Sequence, residues 1–256
     1  MIVTKLQGGL GNQMFQWAYG KALSIIHNTS LYLDTSFYIN QTVNTPRNYE
    51  LNKFHNIKYQ EPKIENKPII QINDNFNYTE LLYNENNNYF LNGFWQSEKY
   101  FLNVSELIKE QLQPTTETRE KLKKQITGKS VSLHIRRTDY VTSNGFHPVQ
   151  TFDYYDKALE IIGDYDQLLV FSDDINWCKK NLKYENILFV ENQDNVEDMW
   201  LMSLCDHNII ANSSFSWWGA WLNQNEDKIV IAPNNWFGPQ SNLNESDIIP
   251  SNWIKI

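Results

Sequence analysis

The segment Ser130-Val131-Ser132-Leu133-His134-Ile135-Arg136-Arg137-Thr138-Asp139 decides how the rest of the chain is read. Val131, Leu133 and Ile135 alternate with Ser132, His134 and Arg136, and a period of two predicts a β-strand over 130–136. Successive side chains of a strand point to opposite faces, so His134 and Arg136 share one face and Arg137 takes the other. A strand from the middle of a sheet should finish in apolar residues. This one finishes in His-x-Arg-Arg-x-Asp, which is costly to bury unpaired. In an open α/β sheet, ligands collect at the carboxyl ends of strands. Arg136 is then a rigid, permanently charged fork suited to a phosphate or carboxylate. Asp139 can hold one arginine in an ion pair while the other is left for a ligand. A buried structural Arg–Asp pair would give the same pattern.

Downstream, the segments alternate regularly. A loop is expected from Asp139 to Gln150, then a helix over 151–162, a strand over 167–171 ending in Ser172-Asp173-Asp174, and a helix over 175–182. A strand over 187–190, a helix over 196–205, a strand over 207–211 ending in Asn212-Ser213-Ser214, a helix over 215–222 and a strand over 228–232 follow. Strand–helix alternation with short links predicts a parallel sheet covered by helices. The right-handed crossover rule puts the strand ends along one edge. Three kinds of chemistry meet there. His134 and Arg136 offer donors, Asp173 offers a carboxylate, and Ser213 and Ser214 offer hydroxyls and N–H groups at a helix start. A nucleoside diphosphate needs this set: cation and helix N-terminus for the pyrophosphate, carboxylate for a base edge or ribose. Asp173-Asp174 can also be read as helix capping before Ile175, and Ser213-Ser214 likewise. A metal reading of Asp173-Asp174 is disfavoured, because the two are adjacent and not in D-x-D spacing and no Cys or His lies close by.

Upstream, 2–6 reads as a first strand, followed at once by Gln7-Gly8-Gly9-Leu10-Gly11-Asn12-Gln13. A helical pattern then runs to about His27, with Met14, Trp17, Ala18, Ala22 and Ile25 at three- and four-residue spacing. Strand, glycine turn and helix can bring backbone N–H groups to a phosphate. A tight βα turn with no ligand also needs glycine. The spacing is neither a dinucleotide fingerprint nor a Walker loop. A strand is expected over 30–34. The stretch 35–88 is rich in Asn, Tyr, Lys and Pro and gives weaker signals, with 68–72 a candidate strand. Tyr89 to Ser97 reads as a strand running into a loop, its aromatics either core or facing a sugar. Helices are expected over 97–112 and 115–126.

Composition narrows the classes. The 256 residues allow one large domain or two ordinary ones, and a hydrophobic fraction of 41% supplies a core. The net charge of −8 argues against nucleic acid or an anionic membrane as the main partner. Cys178 and Cys205 have no metal-type spacing and suggest a reducing compartment. No signal-peptide pattern opens the chain and no apolar run reaches the ~18–20 residues of a membrane span. The expected location is cytoplasmic, with peripheral contact at the inner membrane left open.

Four blocks carry a family resemblance: Gly8-Gly9-Leu10-Gly11-Asn12-Gln13-Met14-Phe15-Gln16; His134-Ile135-Arg136-Arg137-Thr138-Asp139-Tyr140; Phe171-Ser172-Asp173-Asp174 with Trp177; and Asn212-Ser213-Ser214-Phe215-Ser216-Trp217-Trp218-Gly219-Ala220-Trp221-Leu222-Asn223. In this order they resemble the α-1,2-fucosyltransferases, especially the bacterial ones. The last block is the most specific of the four; the His-x-Arg-Arg-x-Asp block is shared across a wider fucosyltransferase superfamily. The resemblance implies an α/β fold of GT-B type, two Rossmann-like halves facing across a cleft, with residues 1–127 on the acceptor side and 128–256 binding the donor. It implies GDP-L-fucose as donor, no cofactor or required metal, and inverting transfer to the 2-hydroxyl of a terminal galactoside, in glycan, lipopolysaccharide or capsule synthesis. Carried over by position, Arg136 would hold the pyrophosphate and stabilise the leaving group. His134 and Asp173 would contact the guanosine, with Ser172 beside them. Ser213, Ser214 and Phe215 would lie along the phosphates, and Gly11, Asn12 and Gln13 would close on the donor from the other half.

The resemblance breaks at the catalytic base. Asn144 stands where related core fucosyltransferases have a glutamate, and an amide cannot accept the proton. His147 stands first among the candidates in its place, followed by Asp139 or a residue from the acceptor half, and a loose mechanism would need no strong base. The chain is also somewhat short for that family, and the shortfall is expected between 35 and 100. A different donor or linkage, or a nucleotide-sugar-binding protein without turnover, are the competing readings. Oligomeric state has no signature in the sequence.

Overall fold

The computed structural model describes residues 1–39, 41, 46–57, 66–74, 76–142 and 145–256. The chain forms two compact units: residues 1–113 with 243–250, and residues 114–242 with 251–256. Each is built on an all-parallel sheet, the expected α/β class.

In the first unit, β1 (Ile2–Lys5) leads through the glycine turn into α1 (Leu10–Ile26), then β2 (Leu31–Asp34), β3 (Ile69–Asn73) and β4 (Asn88–Asn92). The strand order is β2-β1-β4-β3. Helix α1 lies close on the sheet: a Cβ on Gly20 would sit 2.3 Å from Thr4 Oγ1. The aromatic segment after β4 folds inward. Tyr19 packs on Trp95 and Tyr100 at ring distances of 4.8 and 4.5 Å. Trp95 adopts a left-handed φ of 55°. Asp74 holds it there, accepting the N–H groups of Phe94 and Trp95 at 3.0 and 2.9 Å. The helix expected over 97–112 is broken. Residues 98–100 and 102–104 are short 3₁₀ turns, and only α2 (Ser105–Gln111) is regular. The break falls at Phe101, whose φ of −140° is not helical and whose buried ring meets Phe15 at 6.1 Å.

The second unit opens with α3 (Thr116–Lys123). The sequence places this helix in the first half, with a boundary at 127/128. The structure moves the boundary to Gln113/Pro114. Leu122 is fully buried, Lys121 reaches Glu197 at 2.6 Å, and Gln125 donates to Gln193 at 2.6 Å. Residues 243–250 return to the first unit, which the sequence did not foretell. From α3 the chain runs through β5 (Ser130–Ile135), α4 (Thr138–Thr142), α5 (Phe152–Ile162), β6 (Gln167–Ser172), α6 (Ile175–Asn181), β7 (Ile187–Phe189), α7 (Asn195–Leu204), β8 (His207–Ile209), α8 (Ser214–Leu222), β9 (Val230–Ala232) and β10 (Ile254–Lys255). The sheet order is β10-β9-β8-β5-β6-β7.

β5 is buried along its whole length, so its alternation separates two interiors. On one face Val131, Leu133 and Ile135 join Tyr154, Tyr155, Ala158 and Leu168 in the core. The polar face is paired rung by rung. Ser130 Oγ donates to Asp206, Asn208 Nδ2 donates to Ser132 Oγ at 2.7 Å, and His134 Nδ1 meets Ser216 Oγ at 2.8 Å. Burying these groups unpaired would cost about 1–3 kcal/mol each. The signature block 212–223 is largely scaffold: Trp217 and Trp218 are fully buried and Trp217 also packs on Trp253.

Candidate donor site at the edge of the second sheet

β5 is flanked by β6 and β8, so three strand ends lie side by side at its carboxyl edge. Arg136 is the first residue past β5. Its Nη2 lies 2.6 Å from Asp139 Oδ1 and its Nη1 lies 3.2 Å from Asp173 Oδ2. Its guanidinium also stands 5.3 Å from the Tyr140 ring centroid. Arg137 turns the other way. It lies 3.6 Å over the Trp177 ring and 3.5 Å from Asp174. The expectation that Asp139 holds one arginine and leaves the other for a ligand is therefore not met. Asp139 takes Arg136, the arginine assigned to the ligand, and both arginines have carboxylate partners.

Asp173 does more than pair. Its oxygens accept the N–H groups of Arg137 and Thr138 at 2.9 and 3.1 Å, and the Thr138 hydroxyl as well. These bonds cap the turn that becomes α4, which is why a helix occupies the start of the expected loop. Burial opposes ionisation of Asp173, but Arg136, then the Thr138 hydroxyl and the Arg137 N–H, outweigh it and hold its pKa below the usual carboxylate value. Asp174 caps α6, accepting the Trp177 N–H at 3.2 Å. Ser172 Oγ accepts the Asp174 N–H at 3.0 Å, so it shapes the turn.

His134 is 5% exposed. Burial, reinforced by Arg136 and opposed by Asp173, pushes its pKa down to about 3. Its ring lies 5.6 Å from that of Phe215 and its Nδ1 bonds Ser216, so it ties β5 to the first turn of α8. Ser213 is the N-cap of α8, its Oγ accepting the Phe215 N–H at 3.4 Å. The early N–H groups of a helix have no intrahelical partner and carry partial positive charge. Ser214 and Phe215 are half-buried at that end.

His147 stacks on Tyr140 with ring centroids 4.6 Å apart, and its pKa is lowered by burial, with Asp139 opposing and Arg136 adding to the effect. Its Nδ1 has no hydrogen-bond partner among the described residues. Asn144 lies outside the described residues.

In the first unit, Gly8 has φ 79°, and a Cβ there would sit 2.7 Å from Asn12 Nδ2, so the turn requires glycine. Gln13, expected to face a donor, is fully buried. It donates to the Gly8 and Asn48 carbonyls at 3.1 and 2.8 Å and accepts the Glu50 N–H at 2.9 Å. Its amide braces the glycine turn against 48–50. Gln16 does the same between Gln7 and Gly93. Gly11 is buried in the first turn of α1, and Asn12 accepts from Gln96 at 2.8 Å.

Residues 1–256, the whole chain, match the family described as Glycosyl transferase family 11. The chain belongs to this family. It is 36% identical to an α-1,2-colitosyltransferase of Escherichia coli, over all of this chain and 99% of that one. It is 34% identical to the O-antigen biosynthesis glycosyltransferase WbnK of Escherichia coli, over 98% of this chain and 99% of that one. Among solved structures, the fucosyltransferase NodZ from Bradyrhizobium superposes with a TM-score of 0.52 at 13% identity, covering 85% of this chain and 91% of that one. At that identity the likeness is one of fold, and it supports the GT-B-type assignment.

For this family 11 glycosyltransferase, the structure adds side chains that carry no signature of their own. Thr138 donates to Asp173, the carboxylate that meets Arg136, Trp177 lies under Arg137, and Ser216 bonds His134. Thr138 and Trp177 sit within or beside quoted blocks, but a hydroxyl and an indole have many uses, so their type did not single them out. Among the described residues, no helix is long and apolar enough to cross a membrane, and no group of three or more His, Cys, Asp or Glu is placed to hold a metal ion.

Proposed function

We propose that the chain transfers L-fucose from GDP-β-L-fucose to the 2-hydroxyl of a terminal galactoside, with inversion, in assembly of a bacterial surface polysaccharide. The observation that carries this reading is the placement of Arg136 at the end of β5, bridging Asp139 and Asp173, two residues on from His134, which bonds the first turn of α8. In this reading pyrophosphate oxygens take up the guanidinium donors that now face Asp139. The arginine is already partly desolvated and aimed, so a ligand anion replaces one carboxylate in a like-for-like exchange. As the C1–O bond breaks, GDP gains negative charge. Arg136 and the α8 N-terminus offset it, and one such preorganised donor contributes ~3–4 kcal/mol. In this reading the cation and helix end take the part that a metal plays elsewhere. The exchange also frees Asp139 from Arg136, and Asp139 then takes the proton of the attacking hydroxyl.

One relative favours a second reading of the donor. The name α-1,2-colitosyltransferase points to a donor sugar that is fucose without its 3-hydroxyl. The linkage and the activating nucleotide site are the same in both readings.

The test is GDP release from GDP-fucose and from GDP-colitose, with lactose or N-acetyllactosamine as acceptor, in the presence of EDTA. Product linkage is read by NMR. Acceptor-dependent release giving an α-1,2 product is expected with GDP-fucose. Turnover with GDP-colitose alone selects the second reading. GDP binding with no turnover on any galactoside overturns both in favour of a binding protein.

A further inference from the structure

We infer that the first unit carries a separate binding groove for a neutral pyranoside, formed between the sheet and the strap 76–87. The groove has a volume of about 570 Å³, within the ~300–1,000 Å³ of small-molecule sites. Tyr19 of α1, Ile70 and Ile72 of β3 and Tyr89 of β4 line it, so it lies on the face of the sheet that α1 covers. Trp95 and Tyr100 line it as well.

The gap is built into the strap. Tyr100 OH donates to the Asn77 carbonyl at 2.8 Å, and the Tyr78 N–H donates to Asp247 at 2.9 Å. Further along, the Asn84 N–H donates to Tyr89 OH at 2.7 Å, and Tyr83 stacks on His27 at 3.9 Å with 6° between planes. Pinned near both ends, the strap stands off the sheet and does not collapse onto it.

The lining selects a chemical class. It combines aromatic rings with the carboxamides of Asn73, Asn84 and Asn87; its one charged residue is Glu80, and no Lys or Arg lines it. Phosphate and sulfate therefore lack a counter-charge, and a lipid tail would leave the amides unpaired. A hydroxylated ring with a flat apolar face satisfies both kinds of surface. The amides are also available. Asn73 Oδ1 is spent on Gln71 and Asn92, and Asn84 Oδ1 on the Asn86 N–H, which leaves their NH₂ groups to donate. The Asn87 carboxamide makes no hydrogen bond to any described residue. The groove stands without the donor reading. If that reading holds, it takes part of the acceptor glycan.

The test is ¹⁵N-indole NMR on the full chain, with Trp95 assigned through Trp95→Phe and, should that variant fold poorly, through selective labelling. Lactose, N-acetyllactosamine and chitobiose are titrated singly, and GDP separately as a control read at Trp177. A saturable shift of the Trp95 resonance with at least one saccharide is expected, weakened at least fivefold by Asn87→Ala, with the GDP response unchanged. No Trp95 response to any saccharide, while Trp177 answers to GDP, overturns the groove and leaves the donor reading standing. A Trp95 response that Asn87→Ala leaves intact also overturns it, because the sugar then sits elsewhere. A saccharide response without a GDP response supports the groove and removes the donor reading.

Discussion

Arg136 Nη2 sits 2.6 Å from Asp139 while Nη1 sits 3.2 Å from Asp173, so one guanidinium bridges carboxylates from two strand ends. Only a planar fork can face both acceptors at once. Arg136→Ala is expected to lower kcat by about 10²–10³-fold, the cost of one preorganised donor. Arg136→Lys keeps the charge but loses the fork, and its activity should fall between wild type and the alanine variant. Steady-state kinetics checks this, with a urea melt to show that both variants fold. Near-normal kcat in Arg136→Ala takes the residue out of the reaction.

Asp173 links the same arginine to the backbone that follows it. It accepts both N–H groups at 137 and 138 and the Thr138 hydroxyl. Asp173→Ala leaves those donors and Arg136 short of an acceptor, and should cost roughly 1–3 kcal/mol of stability. Turnover should fall with it, because α4 carries Asp139. Urea unfolding measures the first effect and kcat the second. An Asp173→Ala protein with unchanged stability would mean that the turn at 137–138 needs no cap.

The second sheet was legible because its elements are short, regular and separated by clear breaks. β5 and its neighbours fall within a residue or two of their expected ends. The site was legible by type but not by partner. Arg136, Asp139 and Asp173 declare themselves as charged residues at strand ends, yet periodicity cannot say which carboxylate meets which arginine. Gln13 misled because an amide after a glycine turn reads the same whether it faces a ligand or braces a loop; only its burial separates the two. Pro114 was legible as a break, but the assignment of α3 to the second unit depends on Leu122 packing and on Glu197, which lies far away in sequence. The residues 97–104 failed as a helix because one buried ring, Phe101, outweighed the local pattern.

His134 gives a pH prediction. Its pKa falls from 6.5 to about 3 on folding, through burial first and Arg136 second. Between those values the unfolded chain binds a proton that the folded chain does not, so this group lowers stability as pH falls from 6.5 and has no further effect below about 3. The full slope is ~1.4 kcal/mol per pH unit. His134→Gln removes the titrating group and should flatten the stability profile by close to one proton between about pH 4 and 5.5, and by about half a proton at pH 6.5. Urea melts across that range measure it. An unchanged slope would mean that folding does not lower the pKa of His134.

A pH profile tests whether His147 is the base. A base works only when unprotonated. Burial lowers the His147 pKa below 6.5, so a His147 base would make kcat/KM fall as pH drops through that lowered value. Yet the Nδ1 of His147 has no partner among the described residues. Nothing there sets its tautomer, in contrast to bases held by a second group. Its stacking on Tyr140 makes it a wall beside Asp139. His147→Gln is therefore expected to lower kcat by less than about tenfold and to leave the acid limb where it stands in wild type, while Asp139→Asn lowers kcat by about 10²-fold or more. Loss of the acid limb in His147→Gln reverses the assignment. In that case the ring next to Arg136 takes the proton, and Asp139 serves only to hold the arginine until the donor displaces it.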